Sequence, residues 1–157
     1  MPEHLEENEL VKQKRAKLDN IIREGVYPYG GKFETTSTIN ALKEDFVVGR
    51  AVILAGRIMA ARSHGKSAFY DIKDSTAKIQ AYFKEDAVGA DNFKFLNNID
   101  IGDFIGVKGE TFKTRTGEPT VIVKEFKILA KSLRPLPEKW HGLKDVETRY
   151  RRRYVDL

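Results

Sequence analysis

Phe69 stands in a row of polar side chains. Across residues 67–73, SAFYDIK alternates so that Ala68, Tyr70 and Ile72 share one parity, the usual make-up of a buried face. Ser67, Phe69, Asp71 and Lys73 share the other. If the turn DSTA at 74–77 closes a hairpin onto KIQAYFK at 78–84, residue 73 pairs with 78, Phe69 faces Tyr82 and Asp71 faces Gln80. Ile79, Ala81 and Phe83 then extend the buried parity, while Lys78, Gln80, Tyr82 and Lys84 lie outside. Arg62 is joined to Phe69 by the short stretch SHGKSA and reaches the same patch. Two aromatics, an amide and several cations on one outward surface suit an unpaired nucleic-acid base. A flat ring stacks on such a base at roughly 1–3 kcal/mol. Gln80 can donate to and accept from a base edge, and Arg62 can pair with phosphate or stack. The competing reading is a cross-strand aromatic pair that merely stabilises the hairpin, worth about 0.2–1 kcal/mol. Alternation alone leaves both open.

Other chemistries find less support. HGKS at 64–67 has the ending of a phosphate-binding loop, but that motif requires glycine at position 60, where Ala60 stands, and a helix after it. The carboxylates of KED and EDF have no paired geometry and read as solvated turns. No nucleophile and base are spaced for catalysis, so no catalytic residue is assigned. Three scattered histidines and no cysteine argue against a zinc site, and no metal ligand is assigned. The lack of cysteine suits a reducing, cytoplasmic setting. No apolar run approaches the ~20 residues of a membrane span, and the acidic start MPEHLEENEL does not resemble a signal peptide. The formal charge is +5, but residues 47–130 carry 13 basic and 10 acidic side chains and residues 131–157 carry 8 and 4, so much of the excess lies in the last segment. Charge alone is weak support for phosphate binding.

The elements that must position the patch follow from periodicity. Residues 8–24 place Leu10, Val11, Leu18, Ile21 and Ile22 at helical spacing, with Asn8 as a start cap, Gly25 as a stop, and Lys12, Lys14, Arg15 and Lys17 on a solvated opposite face. VYPYGGKFETTST is irregular, and Ser37 or Thr38 caps a short helix through INALKEDF. From Val47 the period becomes two, giving strands at 47–61, 67–74, 78–84, 103–114 and 119–129, with a helical break at 86–99. The predicted fold class is an all-β core with helical additions. Five strands with one helix between the third and fourth, preceded by an N-terminal helix, is the order of an OB-fold barrel, with a generic sandwich as the alternative. The division expected is an N-terminal helix and connector at 1–46, the barrel at 47–131, and a linker at 132–157.

Three strings carry a family resemblance: GRIMAARSHGKSAFYDIKDSTAKIQAYF, FKTRTGEPTV and LRPLPEKWHGLKDVETRYRRRYVDL. Together they resemble the N-terminal part of bacterial-type class II lysyl-tRNA synthetases. The aspartyl and asparaginyl enzymes share the OB module, whereas the string from Leu133 to Leu157 is specific to the lysine enzyme. The resemblance implies that the barrel binds the tRNA(Lys) anticodon stem-loop. Phe69 and Tyr82 would stack on anticodon bases, Gln80 would read the central uridine, and Arg62 and Glu118 would occupy the family's contact positions. His64, Lys66 and Lys78 are further candidate RNA contacts. The family's catalytic domain, with its ATP, Mg2+ and lysine sites, follows RYRRRYVDL, so these 157 residues are expected to bind tRNA without cofactor and without charging it. The family enzyme is a homodimer. A free-standing single-strand RNA- or DNA-binding OB protein is the rival class, and the matching domain of an aspartyl or asparaginyl enzyme is the second alternative.

Overall fold

A computed structural model describes residues 2–29 and 31–134. The period-two segments form β1 (Ala51–His64), β2 (Ser67–Lys73), β3 (Lys78–Lys84), β4 (Phe104–Lys113) and β5 (Pro119–Ala130). Helices α1 (Pro2–Arg23) and α2 (Ile39–Glu44) precede them. Between β3 and β4 run α3 (Glu85–Val88), α4 (Ala90–Phe95) and a 3-10 turn (Leu96–Asn98). The strands close in the order β1-β2-β3-β5-β4. Every neighbouring pair is antiparallel except β3–β5, which is parallel. The fold is a five-stranded OB-fold barrel with its helical connection between the third and fourth strands.

Closure depends on β1. Its first half pairs with β4 and its second half with β2, and the register slips between Ile58 and Ala60 where the strand bends from one partner to the other. The inward parity supplies the core: Leu54, Ile58, Ile72, Ala81, Phe83, Ile105, Val107, Val121 and Val123 are all fully buried. Each large side chain among them contributes about 1.5–3 kcal/mol of burial.

Several boundaries differ from the sequence-based reading. β1 starts at Ala51 rather than Val47, because residues 47–50 form a turn with Gly49 at φ 87°. Gly49 N donates to the Thr111 carbonyl and the Thr111 hydroxyl donates to Val47 O, so Val47 and Val48 stay exposed. At its other end β1 runs on to His64 and meets β2 through the two-residue turn Gly65–Lys66. Only Gly65 of that pair has positive φ, at 58°, the pattern of a II′ hairpin turn. The helical connection is broken at Gly89, whose φ of 92° separates α3 from α4. Helix α1 begins at Pro2, not after Asn8, and proline suits a first turn because its missing N–H has no partner there. Its end is as expected: Gly25 N donates to Ile22 O and Val26 N to Ile21 O, a Schellman pair with Gly25 at φ 78°. Thr38, rather than Ser37, is the α2 cap. The linker expected from 132 onward lies outside the described residues beyond Arg134.

Not all of the basic face of α1 is solvated. Lys14 Nζ donates to Ile101 O, and Lys17 pairs with Asp100. Asp100 also pairs at 2.7 Å with Lys131, which equally holds the fully buried Asp103 at 2.7 Å. Burial alone would raise the Asp100 carboxyl, but Lys131 and Lys17 outweigh it and hold it below the usual range. This ionic cluster fastens α1, the β3–β4 connection and the chain leaving β5 to one another.

Candidate nucleic-acid interface

The β2–β3 register is Phe69↔Tyr82, Asp71↔Gln80 and Lys73↔Lys78. Cross-strand pairing brings the two rings to 4.5 Å between centroids at an interplanar angle of 21°. Tyr82 in turn lies 6.2 Å from Phe112 of β4, so three aromatics form a continuous row over the outer surface. Phe69 is half-buried: Tyr82 covers one side of the ring and the rest faces a cleft.

That cleft has a volume of roughly 480 Å³ and is lined by Arg62, His64, Phe69, Asp71, Lys78, Ile79 and Gln80 from the β1–β2–β3 surface. Thr114, Thr116 and Glu118 line it from the β4–β5 turn, and Lys43 from α2. Local hydrogen bonds fix each side. Because β1 extends to His64, Arg62 sits directly across from Phe69. The β4–β5 turn is held by Gly117 N to Thr114 O, Thr114 N to Glu118 O and Glu118 N to the Thr114 hydroxyl, at 2.8–3.1 Å, which presents the exposed Glu118 carboxylate at the rim. Helix α2 is seated by the β2–β3 turn. Ile39 N donates to Asp74 Oδ2, Asn40 N to the Thr76 hydroxyl and Ala41 N to the Thr38 hydroxyl, so its first three N–H groups are all satisfied. Lys43 then reaches over the cleft's edge, where Nζ donates to Lys78 O at 3.0 Å.

The electrostatics are mixed. Asp71 lies between two cations, with Oδ1 3.7 Å from Arg62 and Oδ2 3.8 Å from Lys78. Its carboxylate is mostly buried, whereas both cations remain more than half exposed and face outward, where a phosphate would meet them. The arrangement offers a ring face for stacking, an amide and a carboxylate for base edges, and three lysine or arginine heads for a backbone.

Of the residues singled out from sequence, Arg62, His64, Phe69, Lys78, Gln80 and Glu118 share this cleft. Tyr82 stands behind Phe69 and does not line it, and Lys66 sits at the exposed β1–β2 tip, also outside it. Sequence reading missed Lys43, Thr114, Thr116, Phe112 and Thr120. The β4–β5 residues had a signal in the hairpin TRTGEPT, whereas Lys43 had none, because its place depends on caps supplied from residues 74–76. Among the described residues no cluster of His, Asp or Glu is arranged to hold a metal, and no helix is long and apolar enough to cross a membrane.

Residues 52–129 match the family described as OB-fold nucleic acid binding domain, of the tRNA anticodon type. Over its whole length the chain is similar to lysine–tRNA ligases. It is 55% identical to that of Carboxydothermus hydrogenoformans over 157 residues, which cover 99% of this chain and 32% of that protein. Identity is 53% to that of Pelotomaculum thermopropionicum, covering 96% and 30%, and 49% to that of Halalkalibacterium halodurans, covering 100% and 33%. The chain thus spans about a third of the length of the curated relatives it matches.

Proposed function

From the premise that this chain belongs to the OB-fold nucleic acid binding family, as the anticodon-binding region of lysine–tRNA ligases, we propose that it binds the anticodon stem-loop of tRNA(Lys). One observation carries the reading: a half-covered aromatic, an amide, a carboxylate and outward cations converge on a single cleft at the β2–β3 surface. Phe69 receives an anticodon base on its open face while Tyr82 backs it. Gln80 and Glu118 meet base edges, and Arg62 and Lys78 meet phosphates. His64 and Lys43 border the same path, and Lys66 extends it at the hairpin tip. The match to lysine ligases over nearly the whole chain favours this over a free-standing single-strand binder or an aspartyl or asparaginyl relative.

The same reading divides the chain into a helical connector at 1–46, the barrel at 47–131 and a linker from 132 toward a catalytic region. In this reading ATP, Mg2+ and lysine belong to that region. Dimeric assembly through the longer protein and a cytoplasmic setting complete the proposal. The test is titration of the chain with anticodon stem-loops identical except at the anticodon. Preference for a lysine anticodon supports it. Equal binding of all sequences, or none, overturns it.

A further inference from the structure

We propose that the Lys14 amine on α1 is a covalent modification site that takes an acyl group from acyl phosphates. None of the residues concerned lines the cleft, so the site is separate from the RNA-binding reading. Three lysines meet two carboxylates where α1 packs on the β3–β4 connection. Lys17 pairs with Asp100, and the fully buried Lys131 bridges Asp100 and Asp103 at 2.7 Å each. Both carboxylates are thereby taken. Lys14, one turn before Lys17 on the same face, is left with the Ile101 carbonyl at 3.4 Å, and among the described residues no carboxylate pairs with it. Its ammonium is the third positive charge against two negative ones. The buried Tyr70 adds none, since burial together with Asp100 and Asp103 pushes its hydroxyl up to about 12. Partial burial strips water from the Lys14 ammonium and pushes it below its usual range; Asp100 and Asp103 oppose the shift, while Lys131 and Lys17 add to it. A larger share of Lys14 is therefore neutral amine, which is the nucleophilic form. The side chain is only half-buried, so a small reagent can reach it. Lys12 and Arg15 lie exposed nearby and draw a phosphate-bearing donor to this stretch of helix. In the reaction the Nζ lone pair attacks the acyl carbonyl carbon and the bond from that carbon to the phosphate oxygen breaks. Inorganic phosphate leaves with the electron pair, and the amine proton passes to water. The product is a neutral amide whose N–H can still donate to Ile101 O. Two ammoniums then face two carboxylates, so acylation removes the surplus charge while the Lys17 and Lys131 ion pairs stay in place.

The experiment incubates the chain with acetyl phosphate at mildly alkaline pH and follows acetyl occupancy of each lysine over time by peptide mass spectrometry. Lys12, exposed on the same helix with Glu9 3.4 Å away, is the internal reference. The expected result is that Lys14 is acetylated several-fold faster than Lys12 in the folded chain. In guanidinium chloride, which unfolds the cluster, the two rates should converge. Two variants then separate charge from packing, with circular dichroism reporting whether α1 persists. Asp100→Asn removes a carboxylate and should raise the ratio of Lys14 to Lys12 acetylation. Lys17→Gln removes an ammonium and should lower it. Loosening of α1 alone would lower the ratio in both, because it returns Lys14 to water. The proposal is overturned if Lys14 reacts no faster than Lys12 in the folded chain. A ratio that survives unfolding, or one that falls in both variants, would overturn it equally.

Discussion

At the residue scale, a half-buried aromatic among polar side chains is the informative feature, because leaving part of a ring in water forfeits a share of the roughly 1.5–3 kcal/mol that full burial is worth. Phe69 recovers some of that through its 4.5 Å stack on Tyr82, so both original readings of the row contain part of the answer. The pair stabilises the hairpin and also leaves one ring face toward the cleft. Phe69→Ala should therefore lower stability by only about 1 kcal/mol, as for other cross-strand pairs, and leave the barrel folded. It should weaken stem-loop binding by about 1–3 kcal/mol. Thermal melting beside titration separates the two. An unfolded variant with unchanged affinity per folded molecule would make Phe69 purely structural. Lys78→Ala should act differently, weakening all RNAs alike and making the dependence of log K on log salt shallower by about one. Titrations at several salt concentrations give that slope, and an unchanged slope would remove Lys78 from the phosphate path.

At the element scale, the β2–β3 turn does two jobs. Asp74 Oδ1 accepts from Thr76 N and Ala77 N within the turn, and Oδ2 caps α2 through Ile39 N. Burial by itself raises this carboxyl, but the donations from Ile39, Thr76 and Ala77 win and hold it below its ordinary 3.8. A carboxylate depressed in the folded state adds stability above its unfolded pKa and loses it as pH falls through the folded value. Asp74→Ala should thus cost about 0.5–2 kcal/mol at neutral pH, the range for a lost cap, with the gap from the parent narrowing below about pH 4. Denaturant melts at pH 7 and pH 3 measure it, and a gap that widens in acid would contradict the capping account. Gly109 shows the opposite constraint, set by packing alone. It sits where the β4–β5 register shifts, and a Cβ there would lie 1.9 Å from Ile122 O. Gly109→Ala should destabilise by at least about 3 kcal/mol, read as a lost or strongly lowered melting transition.

At the scale of the whole molecule, the Lys131–Asp100–Asp103–Lys17 cluster binds segments far apart in sequence. Lys131 and Asp103 have fully buried side chains, Asp103 Oδ1 also accepts from Ser132 N, and Asp103 Oδ2 from Asp100 N. Removing one partner strands the other charge without water, which costs about 3–5 kcal/mol. Lys131→Ala should destabilise on that scale, and amide exchange in α1 should quicken because Asp100 loses one of its two cations. A variant as stable as the parent would mean that water reaches Asp103 and the cluster is no clamp.

The sequence by itself determined the local geometry of this protein. Period two placed Ile72 and Phe83 inside and Phe69 and Gln80 outside, and a four-residue turn set their register, because pleat and hairpin pairing depend only on neighbours along the chain. The Gly25 stop of α1 was legible for the same reason. The tertiary structure alone decided what crosses between distant segments. Thr120 meets Gln80 only through the parallel closure of β3 on β5, Lys43 reaches the cleft only because residues 74 and 76 cap its helix, and Lys17 turns inward only because Asp100 awaits it. A side chain's partner across a barrel has no periodic signature, since the loops between them erase any fixed spacing.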